Sequence, residues 1–113
     1  MTPDKFIGAL FHSRDVMHIA HLQTTSYAEH KALNGYYDGI LDLTDKFVEV
    51  YFGRTKRIPI VIPEAKIESA VEHLKGIQNM LDTDRGQFAS ELQNIIDEML
   101  GLVNQTLYLL TLV

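Results

Sequence analysis

The sequence predicts an all-α chain whose four helices pack as one bundle, on three observations. Apolar residues recur at helical spacing through most of the chain, and capping signals open the helical stretches. One long segment, Ile58-Pro59-Ile60-Val61-Ile62-Pro63, breaks the helical period. With 113 residues, 46% of them hydrophobic, the chain has enough material for one compact core, so residues 1–113 are read as a single domain.

Thr2 followed by Pro3 and Asp4 reads as a helix start: a hydroxyl cap, proline in the first turn and an acid at the positive end of the dipole. Phe6, Ile7, Leu10, Phe11, Met17 and Ala20 continue at helical spacing, which predicts a first helix over Pro3–Leu22. Gln23 to Ser26 is too short to do more than reverse the chain. Ser26 with Glu29 forms a capping box and opens a second helix from Tyr27 to about Phe52. Its core stripe is Leu33, Tyr37, Ile40, Leu41, Phe47, Val48 and Tyr51, with Gly53 as its terminating residue. Gly35 and Gly39 lie one turn apart inside it, a placement that close approach of another helix would explain.

The segment Arg54–Ile62 is too isolated to be a strand, which would lack a ladder partner, and reads as an extended crossover. Nine or ten such residues reach about 30 Å, the length of a bundle, so the third helix can run parallel to the second. That third helix is predicted from Pro63-Glu64 onward, with Ile67, Ala70, Val71, Leu74, Ile77 and Leu81 inward and His73 on the surface. Asp82-Thr83-Asp84 turns the chain and caps a fourth helix that carries Phe88, Leu92, Ile95, Ile96, Met99, Val103, Leu107 and Leu110. Its end, Leu107 to Val113, is apolar on every side, so a partner subunit is expected to cover it.

The formal net charge of −5 speaks against nucleic acid as a partner, because the only basic cluster is Arg54-Thr55-Lys56-Arg57. With no cysteine there is no disulfide, thiolate metal site or thiol nucleophile. Neither a leader pattern nor an apolar run long enough to cross a bilayer is present, so no membrane partner is expected and the location is read as cytoplasmic. No Glu has His three residues later, and Gly-rich phosphate loops, Gly-x-Ser-x-Gly elbows and His-Glu-x-x-His helices are missing too.

The chemistry-bearing pattern is His18, His30, Asp45 and Glu49, at separations of twelve, fifteen and four. Two imidazoles and two carboxylates suit iron, manganese or zinc. His30 and Asp45 lie about 22 Å apart on one helix, far beyond the span of one ion's ligands. The site therefore requires two copies related by a two-fold axis, with His18 and His30 of one facing Asp45 and Glu49 of the other. The bland reading of each residue is a hydrogen-bonded histidine or a solvated acid. Tyr36, Tyr37 and Tyr51 read as packing residues with bonded hydroxyls, and His21 as a surface residue or a support for His18.

The order and spacing of His18, His30, Asp45 and Glu49 resemble the ferroxidase signature of the Dps family, the mini-ferritins. The resemblance implies a ferritin-like four-helix bundle with a long extended crossover between its second and third helices. It also implies an iron site (Fe2+/Fe3+) shared between subunits, a homodimer through the first two helices, and higher oligomers. Ile19 stands where many members have Trp, and Asn34 where many have Asp; losing that carboxylate weakens a second metal position. The crossover also has no room for the short extra helix usual in the family. On this reading the chain is a short divergent member, phage-encoded, located in the host cytoplasm or the virion. The alternative is a non-enzymatic structural or interaction protein, such as a virion component, on the same scaffold with a decayed site.

Overall fold

The computed structural model describes residues 1–64, 66 and 68–113. Its elements are α1 (Pro3–Gln23), α2 (Tyr27–Arg54), α3 (Ala70–Asp84), a 3-10 turn (Arg85–Gln87) and α4 (Ser90–Leu110). The all-α expectation holds, and no strand is present among the described residues.

Local chemistry sets the boundaries. At α2 the Ser26 hydroxyl accepts the Glu29 amide at 3.2 Å, as the capping box requires. The other half of the box is rerouted: the Glu29 carboxylate takes the Thr24 hydroxyl at 3.1 Å, and that hydroxyl accepts the Ser26 amide at 3.2 Å. Gly53 does not end the helix. The chain stays helical to Arg54, and the Thr55 amide and hydroxyl both bond the Tyr51 carbonyl, at 2.9 and 2.7 Å.

The third helix begins seven residues later than Pro63. Ser69 caps it by accepting the Glu72 amide at 3.1 Å, a second Ser-x-x-Glu signal that the proline at 63 masks. Ile67, assigned above to the inward stripe, lies outside the described residues. At its other end α3 continues through the triplet 82–84 instead of turning there. Asp84 is buried and accepts the Met1 ammonium group at 2.9 Å and Gln87 Nε2 at 3.3 Å. The reversal is left to the 3-10 turn, and α4 starts after Ala89 without a side-chain cap.

Each helix packs on two others: α1 on α2 and α3, and α4 on α2 and α3, leaving α1 and α4, and α2 and α3, on the diagonals. Contacts fix the directions. Arg54 at the end of α2 bonds Glu91 at the start of α4 at 3.0 Å, and His73 of α3 reaches Ser13 of α1 while Asp84 reaches Met1. So α1 and α4 run one way, and α2 and α3 the other. The base holds the chain's start and the ends of α2 and α3; the opposite end holds the α1–α2 turn and the end of α4.

The segment between α2 and α3 is a strap laid along α1. The Val61 amide donates to the Asp4 carbonyl at 3.3 Å, and further on Lys66 and Glu68 line a shallow groove with Val16, Met17, Ile19, Ala20 and Gln23. Gly8 makes this seat, because a Cβ there would fall on the Val61 carbonyl. Gly8→Ala should therefore lower stability by about 1–3 kcal/mol despite gaining about 1 kcal/mol in helix propensity. Urea unfolding would measure the loss, and faster proteolysis between residues 55 and 69 would show that the strap has lifted. Gly39 is likewise explained by close approach, here of Leu102 on α4, whereas nothing stands within 4 Å of a Cβ at Gly35.

The interior changes character along the bundle. At the base Phe6, Phe47 and Phe88 form a triangle with ring centroids 5.0 to 5.4 Å apart, and Tyr51 lies edge-on to Phe88. Halfway up, Ser13, Tyr36 and His73 make a polar layer. Near the α1–α2 turn the interior is aromatic again, built from Tyr37 and imidazoles.

Candidate functional site

The polar middle layer is one hydrogen-bonded chain across three helices. His73 Nδ1 lies 3.1 Å from Glu68 Oε1, His73 Nε2 lies 2.8 Å from Ser13 Oγ, and Ser13 Oγ lies 2.7 Å from the Tyr36 hydroxyl. Only one proton arrangement satisfies every atom. Tyr36 donates to Ser13, Ser13 donates to Nε2, and Nδ1–H donates to the Glu68 carboxylate, whose other oxygen lies 3.7 Å from Lys66 Nζ. Burial pushes the Tyr36 pKa up, partly offset by the bond to Ser13, so the hydroxyl remains a donor. Burial also lowers the His73 pKa, and the nearby His12 acts the same way more weakly, while the bond to Glu68 and its charge pull it back up.

Glu68, His73 and Ser13 are connected as in an acyl-transfer triad, yet Ser13 and Tyr36 are completely buried. A nucleophile must reach its substrate, and this hydroxyl reaches only Tyr36 and His73. The chain acts as a polar lock joining α1, α2, α3 and the end of the strap. The sequence reading placed His73 on the surface. With the helix start moved to Ser69, His73 falls on the inward series Ala70, His73, Ile77, Met80 and Asp84, and the Ser69–Glu72 pair was the available signal.

The second cluster sits where α1 passes into α2. The rings of His21 and His30 stack with centroids 3.6 Å apart and planes 20° apart. Each Nδ1 bonds the other residue's backbone carbonyl, His21 to His30 O at 2.7 Å and His30 to His21 O at 2.8 Å. His18 stacks on Tyr37 at 4.1 Å and lies 6.0 Å from His21, while the Tyr37 hydroxyl donates to Asn34 at 2.8 Å. His21 is thus buried and paired with His30, a role its sequence position did not announce.

Of the four metal-ligand candidates, His18 and His30 are half-buried at this junction, and Asp45 and Glu49 are exposed further along α2. Glu49 lines an open groove of about 500 Å³ with Phe52, Gly53, Lys56 and Arg57, well away from the imidazoles. Among the described residues of one copy, no three His, Asp or Glu side chains converge to hold an ion. No described helix is long and apolar enough to cross a membrane.

Residues 21–110 match a protein family described as a family of unknown function, DUF5856. The chain is also similar to an uncharacterized 14.6 kDa protein in the mobD-ri intergenic region of Enterobacteria phage T4. The two are 33% identical over 113 residues, covering 96% of this chain and 88% of the relative. No solved structure matches. These relationships overturn the mini-ferritin resemblance, since neither is to a Dps or ferritin-like protein. A four-residue spacing on two helices constrains too little of the chain to identify a family, because helical chains rich in acids place His, Asp and Glu at turn multiples readily. The match extends over most of the chain and brings in a relative of nearly equal length: this protein belongs to the DUF5856 family.

Proposed function

We propose that this protein is a phage-encoded, non-enzymatic interaction module that works by self-association through the end of the bundle carrying the α1–α2 turn. The carrying observation is the apolar surface left open there. Ile19, Leu22, Tyr27, Tyr108, Leu112 and Val113 are each more than half exposed. From Met99 to Val113 there is no charged side chain, so two copies can meet here without the repulsion that a net charge of −5 imposes elsewhere. The enclosed Ser13 supports a non-catalytic reading, and the phage T4 relative supports the phage origin.

Sedimentation velocity tests this directly. The native chain should dimerise, and Leu22→Asp with Leu112→Asp should weaken association at least about tenfold, since each places a carboxylate in the contact. Because both positions are exposed, folding should survive, as helical circular dichroism would verify. A native chain that stays monomeric at about 100 µM defeats the proposal.

Iron binding between two copies is the second reading. What favours it is that Asp45 and Glu49 are exposed and, among the described residues, neither is in an ion pair, so both carboxylates can reach an ion shared with a second copy. Anaerobic Fe(II) titration should then be abolished by Glu49→Gln, and equal binding by both proteins removes it.

A further inference from the structure

We propose that the strap is an edge on which a second copy of this chain docks, by antiparallel pairing of the two straps about a two-fold axis at Val61. This contact is separate from the one at the turn end of the bundle and does not depend on it.

The peptide groups around Val61 fix which way the edge faces. The Val61 amide donates to the Asp4 carbonyl, and the oxygen of its own carbonyl comes nearest to the Cβ position of Gly8, so both polar groups of Val61 face α1. A trans peptide sets its C=O and N–H in opposite directions, and no cis bond occurs among the described residues. The Ile60 carbonyl and the Ile62 amide therefore point away from α1. Neither has a hydrogen-bond partner among the described residues. Ile60, Val61 and Ile62 are 39%, 42% and 57% exposed, so successive side chains are about equally open and the strap sits on edge, with neither flank turned into the bundle.

No helix, turn or bend interrupts residues 56–64, and Ile58 and Ile62, each preceding a proline, are confined to extended backbone. In an extended chain the polar groups alternate sides. Pro59 and Pro63 share the parity of Val61, so their missing donors fall on the α1 side, while the outward edge keeps the amides of Ile58, Ile60 and Ile62. Prolines placed to blunt this edge would stand at the other parity.

A second strap completes the edge. With Val61 opposite Val61, the Ile62 amide of each copy meets the Ile60 carbonyl of the other, the reciprocal bonds that flank a non-hydrogen-bonded antiparallel pair. Ile60 then lies beside Ile62 of the other copy, and each proline lies opposite a proline. Charge selects the antiparallel sense. The strap is basic at Lys56 and Arg57 and acidic at Glu64, none of them in an ion pair among the described residues, while Lys66 already lies beside Glu68. Antiparallel straps set Glu64 diagonal to Lys56 of the other copy, whereas parallel straps set like charges together. The second copy thus supplies the ladder that a lone strand lacks.

The test is sedimentation equilibrium of the Leu22→Asp/Leu112→Asp protein, in which the turn-end contact is silenced, at up to about 1 mM. It should dimerise with a Kd of about 0.1–1 mM, as suits a small contact. Adding Ile62→Pro removes a donor that nothing in its own chain uses, so association should fall at least about tenfold with helical circular dichroism unchanged. Lys56→Glu should weaken association at least about threefold, and Lys56→Glu/Glu64→Lys should restore it. Hydrogen exchange reads the same contact with the strap unaltered: the Ile62 amide should exchange more slowly as concentration rises. A protein still monomeric at about 1 mM overturns the proposal and leaves the edge to a strand of another protein. Association untouched by Ile62→Pro, a charge swap that fails to restore it, or an Ile62 amide indifferent to concentration overturns it as well.

Discussion

Phe47→Ala should cost about 3–5 kcal/mol of unfolding free energy, the largest effect of any single truncation considered. Phe47 is fully buried and packs on Phe6 at 5.4 Å and Phe88 at 5.2 Å, with Tyr51 stacked beside it at 6.4 Å. Removing its ring takes a shared partner from Phe6 on α1, Tyr51 on α2 and Phe88 in the connection before α4, and neighbours anchored on separate elements cannot all close the gap. Thermal unfolding by circular dichroism should show a midpoint lower by roughly 10–25 °C. A loss under about 1.5 kcal/mol would mean that the aromatic base is loosely packed and the description of it wrong.

The second large effect is at His73. His73→Ala should cost about 2–4 kcal/mol, because it leaves Ser13 and Glu68 without their partner and opens a void in the middle layer. His73 also makes stability depend on pH, with a sign that follows from the direction of its shift. Burial depresses the folded-state pKa below the ordinary histidine value of about 6.5, so the unfolded chain binds this proton more readily than the folded one. The contribution is therefore fully present above about pH 6.5 and is lost as pH falls toward the lower folded value, at no more than about 1.4 kcal/mol per pH unit. The groups facing the ring are Glu68, Ser13 and, more distantly, His12 at 6.4 Å. Urea unfolding from pH 7.5 to 5 for the native chain and His73→Gln isolates the effect, since the other histidines are common to both. If the difference between the two proteins grows as pH falls, the sign is wrong.

Much of the architecture could be read before the structure was known, and the reasons are local. Both helices start at the expected residues, α2 with the Ser26 cap in place and α1 with Pro3 in its first turn, although the Thr2 hydroxyl expected to cap α1 makes no cap bond. Chain length between turns then dictated that α2 reverses on α1 and that one long connection follows. The errors came where two local signals competed. Pro63 read as a helix start, while Ser69 and Glu72 six residues on supplied the real one, and just before the proline Val61 is seated on Asp4 and Gly8 of α1. That shift moved His73 from a surface reading to the core.

The chemistry was less legible than the scaffold. His18, His30, Asp45 and Glu49 form a pattern along the chain, but the bonds that organise the imidazoles run from side chain to backbone carbonyl, which no spacing of residue types encodes. His21 could be placed on a face with His18, yet its stacking against His30 depends on how tightly the turn 24–26 closes. The buried chain through Ser13 and Tyr36 depends on three helices meeting at one height, a tertiary fact invisible to periodicity.

That shared height gives the bundle a vernier. If α1 slid by one turn, about 5.4 Å, against α3, the imidazole of His73 would meet Ala9 or Met17 in place of the serine. It would then stand in a greasy layer with its nitrogen unanswered, and the tyrosine of α2 would lose its acceptor in the same step. Hydrophobic stripes alone tolerate such slippage, because one leucine greets another much as well as the next. A single interior seam of mismatched chemistry leaves one alignment of the rods acceptable and disqualifies its neighbours on either side.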